Sequence, residues 1–187
     1  MTTSTPTTFS TLTGDYTFDT AHSRLGFVAR HAMVTKVRGS FNEFEGTAKI
    51  DGDNPANSVV ALTIQVASVD TRNEQRDGHL RTNDFLDIEK FPTITFTSTE
   101  IKHLGGNDFE VTGDLTIKDV TKPVTLPLEF QGAATDPFGN QRIGFEGSTT
   151  IVRSDFGVSY NAVLETGGVL VSDKITLEFE ISAIKAA

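Results

Sequence analysis

Apolar side chains recur at every second residue along almost the whole chain, and this alternation admits little other than a sheet with one buried face. In-phase sets run through Leu25, Phe27, Ala29 and His31; Phe44, Gly46, Ala48 and Ile50; Leu62, Ile64 and Val66; and Phe109, Val111, Gly113, Leu115 and Ile117. They continue through Val124, Leu126, Leu128 and Phe130; Ile143, Phe145, Gly147, Thr149 and Ile151; and Ile175, Leu177, Phe179 and Ile181. With residues 16–20 and 93–101 added, the pattern predicts about eight or nine strands, several of them longer than the usual ~5–6 residues. The connections Asp51-Gly52-Asp53-Asn54-Pro55, Gly105-Gly106-Asn107-Asp108 and Asp136-Pro137-Phe138-Gly139-Asn140 are short and polar, as antiparallel hairpins require. An all-β fold follows, either a sandwich or a closed barrel, and closure removes exposed strand edges. A barrel of about eight strands is just wide enough to be filled by side chains or to hold one small ligand. Small residues on the inward face (Ala29, Gly46, Ala48, Gly113, Gly147) suit a tight taper or a lumen equally, so both remain open on pattern alone.

One block breaks the alternation. Residues 76–92, RDGHLRTNDFLDIEKFP, concentrate charge, histidine and aromatic rings between two strand patterns. The preceding Asn73 is an N-cap type, which predicts a short helix over residues 73–81, and Pro92 fits the first position of a strand, where no ladder donor is lost. Residues 31–37 offer a second short helical segment between strands.

The 187 residues suffice for one domain with a sizeable core. The formal charge of -9 argues against nucleic acid, whose binding draws on cationic contacts to phosphate, and against polybasic adsorption to a membrane. The absence of cysteine excludes disulfides, thiolate catalysis and Cys-ligated zinc. The four histidines are scattered without HxH or HExxH spacing, and the 51–55 turn lacks the length and remaining ligands of a calcium loop, so no metal or other cofactor is expected. There is no G-x-S-x-G, P-loop or dinucleotide fingerprint. The adjacent His22 and Ser23 point to opposite faces of a strand and cannot act as base and nucleophile. Residues 1–13 carry neither a basic n-region nor an apolar h-region, which reads as a disordered tail ahead of a single domain over 14–187, with a cytoplasmic location expected. No apolar run approaches the ~20 residues of a membrane-spanning helix.

Six motifs in register resemble the YceI-like family: His22-Ser23 followed by Leu25-x-Phe27-x-Ala29-x-His31; Gly39-x-Phe41; Arg76-Asp77-x-His79-Leu80 with Phe85; Phe91-Pro92-x-Ile94-x-Phe96; Gly113-x-Leu115-x-Ile117; and Lys122-Pro123-Val124. The resemblance runs from about residue 16 to residue 185. It implies an extended antiparallel lipocalin-like barrel with a short inserted helix near one end, enclosing an apolar tunnel. It further implies binding of a long-chain polyisoprenoid or similar amphiphilic lipid without catalysis, and a homodimer as a partner state. Many relatives carry a signal peptide, which is not read in this chain. Asp119 stands where the family pattern has glycine; aspartate visits the left-handed region more readily than most residues.

With that resemblance, the ligand-binding set is Phe27, Ala29, His31, Leu62, Ile64, Val66, His79, Phe85, Phe91, Phe96, Leu126, Leu128 and Phe145. His31 shares the parity of Phe27 and reads either as a rim histidine bonded to backbone or as a headgroup contact. His22 has the opposite parity and reads as exposed or bonded to the next turn. Arg72, Arg76, Asp77, His79 and Arg81 read either as a phosphate site or as a brace paired with Asp84, Asp87 or Glu89. Phe85, Leu86, Ile88 and Phe91 read as a plug over one barrel end. An enzyme acting on the lipid, with His31 as its acid or base, and a filled barrel working through protein contacts are the alternatives.

Overall fold

The structure, a computed structural model, describes residues 9–165 and 168–186. Eleven strands form one antiparallel sheet. They are β1 (Gly14–Phe18), β2 (Arg24–His31), β3 (Thr35–Phe41), β4 (Phe44–Ile50), β5 (Val59–Gln65), β6 (Val69–Asp70), β7 (Thr93–Gly105), β8 (Asp108–Ile117), β9 (Val120–Thr135), β10 (Gln141–Val152) and β11 (Lys174–Lys185). The helix α1 (Glu74–Arg81) is inserted between β6 and β7. Neighbouring strands follow the order β1-β4-β5-β7-β8-β9-β10-β11, and β1 pairs back onto β11 through Tyr16–Lys185 and Phe18–Ala183, which closes the ring into an eight-stranded barrel. The other half of β11 pairs with β2, and β2 with β3. Thus β1 with β2, and β3 with β4, are two long staves bent at residues 19–23 and 42–43. With β5 and β6, a third stave bent at residues 66–68 beside β3 and β4, the bends explain why eleven ladder segments build a wall of eight.

Turn chemistry sets the register. The Asp51 carboxylate accepts the amides of Asp53 and Asn54, and that of Asp136 accepts those of Phe138 and Asn140, the local bonding that aspartate brings to turns. At the β8–β9 turn the left-handed residue is Lys118 (φ 57°), and not the neighbouring Asp119. Asn73 caps α1 as expected, its side chain accepting the Arg76 amide at 2.9 Å.

Residues 31–37 are not helical. They form the β2–β3 hairpin, closed by Val34 N–H donating to the His31 carbonyl, with Ala32 (φ 51°) and Met33 (φ 64°) both left-handed. Two central residues with positive φ make the turn whose twist matches a hairpin, and pairing of β2 with β3 from Leu25 to His31, and with β11 from Arg24 to Val28, overrides the weak helical preference. For residues other than glycine the conformation costs roughly 1–2 kcal/mol each.

The barrel's packing falls into two clusters. The larger surrounds Ile64, Ile94, Phe96 and Leu115 in the middle and at the α1 end; the smaller surrounds Tyr16, Phe109, Phe130 and Ile143 at the opposite end. Phe9–Leu12 form a 3-10 helix over that opposite end, so the packed chain begins ahead of the expected boundary at residue 14. Residues 1–8 of the expected tail lie outside the described residues. Phe9 makes edge contacts with Phe109 and Phe130 at ring distances of 5.4 and 5.5 Å, and the Tyr16 hydroxyl donates to the Leu12 carbonyl.

Candidate functional site

Three apolar cavities of about 110, 180 and 150 Å3 follow one another along the barrel axis. The terminal and central cavities share Phe18, Val60, Val111, Leu128 and Ile181 as walls; the central cavity and the one beneath α1 share Phe27, Phe41, Ile94, Ile117, Ile151 and Leu177. Leu25, Leu62, Leu126, Leu128 and Leu177 point inward yet keep part of their surface accessible. A filled core would bury side chains at such positions almost completely, because interiors pack to crystal density. The partial exposure is therefore to the lumen.

The walls offer a ligand almost no polar partner. Asp51 and Ser58 lie at the end under Phe9–Leu12, and Arg153 at the α1 end. Glu178 contributes from β11, but its carboxylate is turned to Arg24 at 3.3 Å. An enclosure of this kind selects shape and length, since dispersion and the hydrophobic effect are non-directional.

Two segments meet over the α1 end. One is α1 with residues 82–92; the other is the 153–173 connection. Tyr160 of the second lies edge-on to His79 and Phe85 of the first, at 5.2 and 5.1 Å. Phe85 is buried, and Leu80, Leu86 and Ile88 pack on the same cluster, so this part of the insertion forms the expected plug. Its charges hold it in place. Arg76 donates to the Thr71 hydroxyl and carbonyl, both at 2.7 Å, and Arg81 to the carbonyls of Ala67 and Val69. Buried Asp77 accepts from the Thr71 amide and hydroxyl. These groups form the brace and not a phosphate cluster. Their partners are Thr71 and backbone carbonyls instead of the expected acids, with His79–Asp84 (2.8 Å) the one expected pairing formed.

Arg153 organises the facing segment. Its guanidinium is buried and donates to the carbonyls of Ser172, Val158 and Val171, and loss of hydration pushes its pKa down, a shift that Asp173 partly offsets. Arg153 continues the parity of Ile151, but the apolar series ends there and a cation was not expected to turn inward.

The expected lining residues divide by height along the barrel. Phe27, Ala29, Leu62, Ile64, Phe85, Phe96, Leu126, Leu128 and Phe145 stand on cavity walls. His31, Val66, His79 and Phe91 do not. His31 is exposed beyond Ala29, bridged to Val171, because parity fixes a residue's face and not its distance from the rim. Val66 is 1% exposed in a 3-10 turn after β5, within packed side chains. Phe91 is half-buried before Pro92, and His79 is exposed against Phe85. Phe18, Phe41, Ile94 and Leu177 were missed as lining, although Ile94 and Leu177 carry the same alternation signal. Phe9 and Leu12 were missed because they precede the first strand.

Between β9 and β10 the wall carries an unladdered seam. Pairing between β9 and β10 runs from Thr135–Gln141 to Glu129–Glu146, and no ladder pair follows among the described residues. The Pro127 carbonyl faces Gly147, so β9 residues of that parity turn their backbone groups to β10. Pro123 and Pro127 have no N–H to donate there.

Comparison with known proteins agrees with this architecture. The family model for the YceI-like domain matches residues 16–183. A UPF0312 protein of Vibrio vulnificus is 38% identical over 179 residues, covering 95% of this chain and 90% of the relative. Among solved structures, BcnA of Burkholderia cenocepacia superposes with a TM-score of 0.78 at 29% identity, covering 88% of this chain and 98% of that one. A domain of Saccharophagus degradans described as polyisoprenoid binding has a TM-score of 0.69 at 17% identity, covering 91% and 98%; at that identity the likeness is one of fold.

Proposed function

This chain belongs to the YceI-like family, and from that premise we propose that it binds a long-chain polyisoprenoid or a similar amphiphilic lipid inside the barrel and carries or sequesters it by enclosure, without chemistry. The observation that carries this reading is the run of three adjoining cavities whose inward leucines remain accessible. The polyisoprenoid binding described for the Saccharophagus degradans domain supports it. Each CH2 removed from water contributes about 0.8 kcal/mol, so several isoprene units outweigh the several kcal/mol of ordering that association costs. An extended chain would thread the three cavities by rotation of the side chains they share, Phe18 and Phe27 among them. His31, the acid or base candidate from sequence, stands outside the lumen.

Solvent extraction and mass spectrometry of the purified protein test the proposal. A stoichiometric long-chain lipid is expected in the wild type. Leu126→Trp, which fills the central cavity, should lose that lipid and stay folded, while Glu129→Trp on the outer face should keep it. Turnover of an added lipid would replace carriage by catalysis, and a wild type that takes up no lipid, with Leu126→Trp destabilised by about 1–3 kcal/mol through overpacking, would leave a filled barrel.

A further inference from the structure

We propose that the tip of the β2–β3 hairpin docks this protein on an anionic lipid surface, Met33 and Val34 entering the headgroup region while Arg30, Lys36 and Arg38 bind the lipid phosphates. The hairpin is the cationic stretch of a chain whose net charge is -9: residues 30–38 read RHAMVTKVR, with no acid among them. In the ladder Arg30 stands opposite Lys36, and Arg38 lies two positions further along the same outer face. Like charges directly opposite each other destabilise a hairpin. These three cations nonetheless form no ion pair among the described residues.

The tip itself is apolar where water would favour Asn-Gly. Met33 is 64% and Val34 75% exposed, and the left-handed backbone at Ala32 and Met33 is held by side chains that gain no local bond from it. The tip is fixed to the 153–173 segment: Ala32 N–H donates to the Leu170 carbonyl at 2.7 Å, and the Met33 sulfur lies over Gly168. Beside it Val163 and Val169, bridged to each other, add further exposed apolar surface. The nearest acids on that segment are Glu165 and Asp173; Asp173 already accepts from the Ser154 amide and hydroxyl. An exposed apolar tip with a cationic collar is the composition of a membrane-surface element, and it adjoins the segment that covers the α1 end of the lumen. The net charge concealed this: steering by an anionic surface depends on charge within a Debye length, ~10 Å at moderate salt.

The inference takes its purpose from the lipid-carrying reading, but docking is measured separately from tunnel occupancy. The chain has no tryptophan, so Val34→Trp is a sole reporter at an exposed position. Its emission is expected to shift to the blue on phosphatidylglycerol vesicles and to stay unchanged on phosphatidylcholine vesicles. In flotation assays Lys36→Gln and Arg38→Gln should each weaken binding about fivefold, added salt should weaken it further, and the tunnel-filling Leu126→Trp should bind as wild type does. Flotation without extractable lipid would uphold docking and end the carriage reading; extractable lipid without flotation would do the reverse. Binding indifferent to the two cation substitutions would overturn the proposal. So would a Val34→Trp blue shift that grows with protein concentration in the absence of vesicles alongside a dimer mass, which would assign the tip to a second copy.

Discussion

Arg142 joins two distant parts of the chain. It donates to Asp19 at 2.6 Å and to Asp136 at 2.7 Å, tying the β9–β10 turn to the β1–β2 bend, and His22 adds a 2.7 Å contact to Asp19. The Arg142 guanidinium, with amide and Asn140 bonds, lowers the Asp136 carboxyl to about 2 and also holds Asp19 below the usual range. A carboxylate with a depressed folded pKa adds stability that is full above its unfolded pKa of about 4 and is lost as pH falls toward the folded value. Melting temperature should therefore drop steadily between about pH 4 and pH 2, and Arg142→Gln should flatten that slope; an unchanged slope would show that the contacts do not form in solution. Gly52 is a second decisive residue. A Cβ there would fall 1.7 Å from the Phe9 carbonyl oxygen, so Gly52→Ala should unseat Phe9–Leu12 without disturbing β4 or β5, as amide exchange at residues 9–13 would report.

Between elements, the α1 end depends on two segments that strand periodicity does not describe. Arg153→Met removes the donors to three carbonyls while keeping most of the volume. Leaving those acceptors buried and unpaired should cost about 3 kcal/mol, which for a domain of this size is a fall of roughly 6–12 °C in melting temperature. The Tyr160 contacts act on kinetics instead. Aromatic pairs contribute about 0.5–1.5 kcal/mol beyond area burial, so Tyr160→Ser, which breaks the contacts with His79 and Phe85, should speed lipid release about two- to tenfold. A pulse-chase with unlabelled lipid measures this, and equal release rates would remove the plug from the path. The charged insertion illustrates how far type and spacing carry an argument. Asn73, Phe85 and Leu86 behave as their residue types predict, yet Arg76 and Arg81 meet carbonyls from residues 67–71, a pairing set by how α1 leans on β6.

At the scale of the whole molecule, the barrel carries an unladdered seam between β9 and β10. Along β10, residues from Gly147 to Val152 are paired with β11 on one side only. Hydrogen exchange there should alternate, slow at amides directed to β11 and fast at those directed to β9, whereas the fully flanked β8 should be slow throughout. Uniform protection over 147–152 would mean that the ladder closes in solution. Pro123 and Pro127 contribute to the seam; the alternation from Val124 to Phe130 did not reveal that β9 begins at Val120 or which neighbour their missing N–H groups would face.

Alternation determined that this chain is all-β and which side of each strand is apolar, because side-chain direction along a strand is a local property with period two, and the short polar turns made the strands antiparallel. The family motifs added the barrel and its lumen. Tertiary structure decided what depends on three-dimensional position: that the ring closes through β1 and β11, that Ala29 lines the lumen while His31 clears the rim, and that Arg153 turns inward. It also decided that residues 31–37 form a hairpin and that Phe9–Leu12 cap an end. The physical reason is common to all of these. Ring closure, height along the axis and the seating of connecting segments are fixed by contacts between residues far apart in sequence, whose free energies no local propensity contains.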